Sequence, residues 1–276
     1  MQGFYQITDN IINLGLRKEH KLMHISDTHI CCIDELSTEE EAAKAQAQEK
    51  IWEPVRRDFA HHFNEPWNPE HEIPTSEAFD KIIDYAAKMS PECLLMSGDI
   101  LDYVHPAGIR HAVKKLSQYG GNYLFANGNH EGPSASNPDL MQLNGGNDDI
   151  GVYRGEDFII TSIDNSTKKV PQKQLEQLKA LMQEGKPIVL MMHIPLSLDY
   201  NKESMQKFGN YFLIFEDDCD DSAKELISLI KPDDSPIRSI ICGHVHGYHK
   251  CEFAKGREQI CSSSSMAGFI DMITLR

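Results

Sequence analysis

The sequence predicts an α/β fold, a layered α/β sandwich of mixed β-sheets flanked by helices, in a single domain over residues 1–276. Three observations predict it. Short apolar runs of strand character alternate with helix-signalled segments. The second half then turns β-rich. Five of the apolar runs also stop at Asp, Asn or His, and in an open α/β sheet the crevice outside the carboxyl ends of the strands is where ligands bind.

Residues 4–16 alternate through Phe4, Ile7, Ile11, Ile12, Leu14 and Leu16 and predict a β-hairpin turning at Asp9-Asn10. Leu22 to Ser26 follows as the first central strand. Ser37-Thr38-Glu39-Glu40 is a capping-box pattern opening an Ala-rich helix. Pro54 interrupts that pattern, which resumes at Val55 and Phe59 and fades at His61-His62. The stretch from about 35 to 72 is long for a connection. It carries Trp52, Arg56, Arg57 and Trp67, and is expected to be a lid over the strand rim or, second, a patch for self-association into a homo-oligomer.

Pro74-Thr75-Ser76 opens a helix with Phe79, Ile82, Ile83, Ala86 and Met89 on one face, and Pro106 opens another with Ile109, Ala112, Val113 and Leu116. Val152 to Ile163 reads as two strands around Gly155-Glu156-Asp157. Pro171 starts a helix stopped by Gly185-Lys186-Pro187, and Ser222-x-x-Glu225 caps one ending before Pro232. Short strands fill Lys250 to Arg276.

Composition is that of an ordinary globular protein, 40% hydrophobic and 25% charged. No run approaches the ~18 apolar residues of a membrane span. The N-terminus lacks a basic region followed by an apolar one, so no secretory leader is expected. Seven scattered cysteines without a C-x-x-C pair predict a reducing, cytoplasmic setting. The net charge of −15 disfavours long nucleic acid as a partner. It does not exclude a small anion, because exposed charge is screened over roughly 8 Å.

The five strand ends carry the chemistry. They are Asp27-Thr28-His29, Gly98-Asp99-x-x-Asp102, Asn127-Gly128-Asn129-His130, His193-Ile194-Pro195 and Gly243-His244-Val245-His246. Each is weak alone. As an ordered set, each at a strand end, they point to a metal centre, since hydrolytic divalent ions want His nitrogen and carboxylate oxygen. A pair of ions about 3.5–4 Å apart suits a bridging carboxylate and makes hydroxide available at neutral pH. His130, beside Asn129, is the candidate acid for the leaving alkoxide, and Asp102 the group that orients it.

This set, with Gly128-Asn129-His130-Glu131, resembles the calcineurin-like metallophosphoesterases over residues 22 to about 247. The resemblance implies that family's α/β sandwich. It implies one ion on Asp27, His29, Asp99 and His246, and a second on Asp99, Asn129, His193 and His244, with Asp99 bridging. His130 takes the place of the catalytic His. The cofactors expected are two divalent metal ions, Mn, Fe or Zn, manganese being among them.

The function expected is hydrolysis of a small phosphoester, a nucleotide or cyclic nucleotide in particular, by attack of a metal-bridging hydroxide. A nuclease is the nearest alternative, and a non-catalytic metal-binding scaffold the alternative of another class. His24 and His249 read as structural. Cys31-Cys32 reads as buried thiols rather than ligands. Arg56 and Arg57 read as a solvated face, with phosphate contact as the second option. Phe208 to Phe215 reads equally as pocket lining and as core or dimer contact.

Overall fold

The apolar runs that end in Asp, Asn or His become neighbouring parallel strands of two sheets packed face to face, four of them inner strands and one, Tyr123–Phe125, an edge. The computed structural model describes residues 4–67, 70, 72–209 and 212–276. Among the described residues the chain runs β1 (Gln6–Ile12), β2 (His20–Ile25), α1 (Glu39–His62), α2 (Thr75–Met89), β3 (Cys93–Met96), α3 (Pro106–Tyr119) and β4 (Tyr123–Phe125). It continues as β5 (Val152–Arg154), β6 (Ile159–Ser162), α4 (Gln172–Met182), β7 (Ile188–Met191), β8 (Leu196–Ser197), α5 (Lys202–Met205) and β9 (Ile214–Phe215). It closes with α6 (Asp221–Ile230), β10 (Ile237–Cys242), β11 (His249–Ala254), β12 (Arg257–Cys261) and β13 (Phe269–Leu275).

One sheet has the order β1-β13-β2-β3-β4 and the other β11-β12-β10-β7-β6-β5; β8 and β9 pair separately. Within the first, β2, β3 and β4 are parallel. Within the second, β6, β7 and β10 are parallel. Both sheets are mixed, because β13 runs antiparallel to β2 and β5 antiparallel to β6.

Strand side chains alternate between faces, so each inner strand serves two cores. Leu22, Leu95 and Leu124 of the first sheet meet Ile160, Val189, Met191 and Ile241 of the second in the middle layer. Met23, Leu94 and Met96 turn the other way, onto Phe79, Ile82 and Ile83 of α2 and Ile109 and Leu116 of α3. Leu190 and Ile240 pack on Leu175 and Leu178 of α4 and Leu226 and Ile230 of α6. The result is a helix–sheet–sheet–helix sandwich. No described helix is long and apolar enough to cross a membrane.

Several local expectations are corrected. The hairpin over 4–16 is instead one uninterrupted strand, β1, which pairs in parallel with β13 at the far end of the chain. Asn10 is buried rather than turning: its amide donates to Asp271 Oδ1 at 3.3 Å, and its Oδ1 accepts the hydroxyl of Tyr248 at 2.8 Å. The cap of α1 is Thr38 with Glu41, one residue later than read. Pro54 does not break α1, which stays helical through it. Asp220, not Ser222, caps α6. Met89 leaves the buried face of α2 and is 44% exposed.

Candidate metal centre

The parallel strands β2, β3, β4, β7 and β10 all release their chains at the same rim, and the loops that follow stay tied to one another. Asp27 N–H donates to Gly98 O and His29 N–H to Asp99 O, both at 3.0 Å, which continues the β2–β3 ladder into the site. His193 Nδ1–H donates to Ser97 O across the two sheets at 2.7 Å. His244 N–H donates to the Asp27 carboxylate at 3.0 and 3.2 Å. Glu131 closes the β3–β4 side: it accepts Asp99 N–H at 2.9 Å, Gly128 N–H at 2.8 Å and Leu101 N–H at 2.8 Å.

These tight loops place side chains in unusual backbone conformations. Of the eight described non-glycine residues with positive φ, five are Asp27, His29, Asp99, His244 and His246. Such residues cost about 1–3 kcal/mol each and cluster where a site demands them. Gly98, at φ +96°, has no room for a side chain: a Cβ would stand 2.7 Å from His193 Nδ1.

The expected residues converge. Asp27, His29 and His246 form one group of atoms able to hold a metal ion, and Asp99, His193 and His244 a second. In the first, His246 Nε2 lies 3.1 Å from His29 Nε2 and 3.2 Å from Asp27 Oδ1. In the second, His193 Nε2 lies 3.1 Å from each of Asp99 Oδ2, Asn129 Oδ1 and His244 Nδ1. Metal–ligand bonds of about 2.0–2.1 Å set neighbouring ligand atoms about 2.9–3.4 Å apart, so the donor sets fit divalent ions. The chemistry of the donors, imidazole, carboxylate and one amide oxygen, fits as well.

A third group, His29, Asp102 and His130, adjoins the first. His130 Nδ1 donates to Asp102 O at 2.6 Å and lies 3.3 Å from Asp102 Oδ1. Its Nε2 faces the centre, 4.0 Å from Asp99 Oδ2. The seven groups Asp27, His29, Asp99, Asp102, His193, His244 and His246 are buried, whereas Asn129 is exposed and His130 half-buried. The open side of the centre is therefore at Asn129 and His130.

Electrostatics follow from that burial. Desolvation opposes ionisation of Asp27, but His246, His193 and His29 outweigh it and hold the carboxyl well below its usual range. Asp99 is likewise held down against desolvation, chiefly by His193. Desolvation lowers His130, yet Asp102 and Asp99 overcome it and raise the imidazole to about 10. His193 is raised to about 9 on the same balance, with Asp99 as its partner. His244 falls to about 3 through burial and the neighbouring His193. Three buried carboxylates, Asp27, Asp99 and Asp102, thus face the imidazoles of this rim.

Other expectations resolve as follows. His24 is structural, lying 3.2 Å from Asp271 Oδ2 and 2.7 Å from Ser97 Oγ. His249 is structural too, with Ser204 Oγ at 2.7 Å. Neither Cys31 nor Cys32 joins a candidate metal group among the described residues. Arg56 is not a solvated or phosphate-facing residue: it is buried, 3.0 Å from Glu49 Oε1, and donates to Ile73 O. In the stretch from Phe208 to Phe215, Phe208, Leu213 and Ile214 are core. Phe212 stands 5.4 Å from the His244 ring, and Asn210 and Tyr211 lie outside the described residues.

One contributor was not singled out from the sequence, and a second, Trp52, was placed on the insertion without a partner. Asn165 fixes the His193 loop, its Oδ1 accepting His193 N–H and Ile194 N–H at 3.0 Å each. The signal existed, since β6 also ends in a polar pair, Asp164-Asn165. Trp52 stacks on His29 with ring centroids 4.0 Å apart.

Comparison with known proteins agrees with the geometry. No curated protein matches the chain. Among solved structures it is similar to a dimetal phosphatase from Danio rerio, with TM-score 0.53, 11% identity, and coverage of 90% of this chain and 88% of that one. It is also similar to the purple acid phosphatase PPD1 from yellow lupin seeds, with TM-score 0.43, 10% identity, and coverage of 94% and 44%. The first likeness concerns the fold. Residues 20–248 match the calcineurin-like phosphoesterase family. Matched over most of its length, the chain belongs to that family and is a metal-dependent phosphoester hydrolase.

Proposed function

We propose that the chain hydrolyses a small phosphoester, of the nucleotide or cyclic-nucleotide class, in a centre of two divalent ions. Asp27, His29 and His246 would hold one ion, Asn129, His193 and His244 the other, with Asp99 between them. Bound there, the ions supply Lewis acidity toward the phosphoryl oxygens and a hydroxide at neutral pH. Against Asp27 and Asp99 they would leave the site locally positive, suited to an anion despite the acidic chain.

The protein's own groups do the rest. His130 Nδ1–H is fixed on Asp102 O, so its Nε2 is the atom that holds a proton at the open side. That is where a leaving alkoxide departs, and a proton delivered there in the transition state is worth about 10²–10⁴ in rate. His193, tied by Nδ1 to Ser97 O, presents only Nε2 to the centre.

The observation that carries the reading is the restricted access. Residues of α1 roof the first group, with Trp52 on His29 and Phe59 4.7 Å from the His246 ring. This favours the 35–72 insertion as a fixed roof over a self-association patch, and a small substrate over a long polymer. The mixed nitrogen and oxygen donors suit Mn, Fe or Zn. A cytoplasmic setting rests on seven free cysteines.

The test is a panel of p-nitrophenyl phosphate, bis(p-nitrophenyl) phosphate, nucleotides, cyclic nucleotides and single-stranded DNA, each with Mn²⁺. Turnover of a small ester well above that of DNA supports the reading. The reverse order makes the protein a nuclease.

A further inference from the structure

The inserted helix α1 sends one side chain into the carboxylate that serves both His29 and His130. Trp52 Nε1–H donates to Asp102 Oδ1 at 2.8 Å. The same oxygen lies 3.3 Å from His130 Nδ1 and 3.6 Å from His29 Nδ1. The other oxygen, Asp102 Oδ2, is buried with no hydrogen-bond partner among the described residues. The directed N–H on this carboxylate therefore comes from the insertion, with the Cys31 thiol as a further neutral neighbour among the described residues.

We propose that Trp52 is a positioning residue, whose indole N–H holds the Asp102 carboxylate between His29 and His130 and so lets α1 set the orientation of the His29 imidazole, while His130 keeps its Nδ1–H on the Asp102 carbonyl. An outer carboxylate on a metal-binding His fixes its tautomer and ring plane, and losing such a partner typically lowers metal affinity or activity about 10–100-fold. His29 needs that support, because its Nε2 faces the candidate metal position while its buried Nδ1 has no hydrogen bond and only the Asp102 carboxylate, 3.6 Å away, to orient it. The Trp52 ring adds a second restraint by stacking on His29 at an interplanar angle of 27°.

The tryptophan is itself firmly placed. Glu49, one turn before it, accepts Thr75 N–H at 3.1 Å and Thr75 Oγ1–H at 2.8 Å, and pairs with the buried Arg56. At the far end of the insertion Glu65 Oε1 accepts Tyr248 N–H at 2.8 Å. Phe63 packs on Phe208 with centroids 5.4 Å apart. Packing alone would be met by any aromatic ring at position 52, whereas a directed N–H is met by indole.

The experiment compares the full-length wild type with Trp52→Phe, which keeps a ring on His29 and removes the donor. A third protein carries benzothienylalanine at position 52, with sulfur in place of the N–H in the same outline. Mn²⁺ affinity is measured by calorimetry, with kcat and KM on the best small phosphoester. Both altered proteins are expected to bind Mn²⁺ about ten-fold more weakly or worse, and to lose kcat rather than gain KM. Wild-type affinity and kcat in the sulfur-containing protein would overturn the proposal, whatever the fate of Trp52→Phe.

The kcat arm rests on the phosphoesterase reading, but the Mn²⁺ arm does not. A wild type inert to every ester defeats the substrate proposal alone, and the calorimetry still decides Trp52.

Discussion

The imidazole of His193, at the end of β7, donates its Nδ1–H to the carbonyl of Ser97, at the end of β3, over 2.7 Å. One hydrogen bond thus joins the two sheets and leaves Nε2 as the only ring atom for the centre. Its position 3.1 Å from Asp99 Oδ2, Asn129 Oδ1 and His244 Nδ1 makes it the hub of the second group. His193→Asn is expected to lower bound metal from about two equivalents to about one. Turnover should drop by more than about 100-fold, beyond the usual effect of losing an outer partner. Elemental analysis and initial rates on one preparation check both.

His130 differs from the other site histidines because it is half-buried at the open side and belongs to neither main group. His130→Ala should therefore separate catalysis from metal binding. A loss of kcat of about 10²–10⁴ with metal content near wild type is the expected outcome. Unchanged turnover would remove His130 from proton delivery.

Gly98→Ala tests the strain at the rim. The substitution forces a side chain onto a backbone at φ +96° and against His193 Nδ1. Destabilisation of about 1–3 kcal/mol is expected from the backbone alone. Chemical denaturation of the metal-free protein measures it, and weaker metal binding should accompany it as His193 is displaced.

His249, which belongs to none of the candidate metal groups, gives a pH dependence of stability. Burial, with Lys207 nearby, lowers its pKa to about 4. An unfolded chain titrates near 6.5, so the unfolded state binds the proton more tightly. The stability from neutral His249 is complete above about 6.5 and is lost as pH falls toward about 4. The stability of wild type relative to His249→Gln should therefore fall across that window, measured by denaturation at constant ionic strength. A difference that does not change with pH would contradict the assignment.

The centre was legible because its residues are contiguous with the runs that precede them. Each apolar run and its terminal Asp, Asn or His lie within a few residues, and parallel pairing then brings the ends together. What was not legible depends on partners distant in the chain. The alternation over 4–16 fits a hairpin as well as a lone strand, and only Asp271 and Tyr248, which engage Asn10, decide between them. Helical spacing places Trp52 and Arg56 on α1 but says nothing of what each meets. Arg56 turned to Glu49 and Ile73, and Trp52 to Asp102, because α1 lies across the rim rather than beside it.

The most direct test of the account is a metal titration of the metal-free protein. Mn²⁺ is added in steps, and hydrolysis of the best small phosphoester is followed at each one. The account predicts that activity rises with the second equivalent, vanishes on chelation and returns when Mn²⁺ is restored. Activity that is complete after one equivalent, or that survives chelation, would contradict a two-ion centre built on Asp27, Asp99 and their histidines.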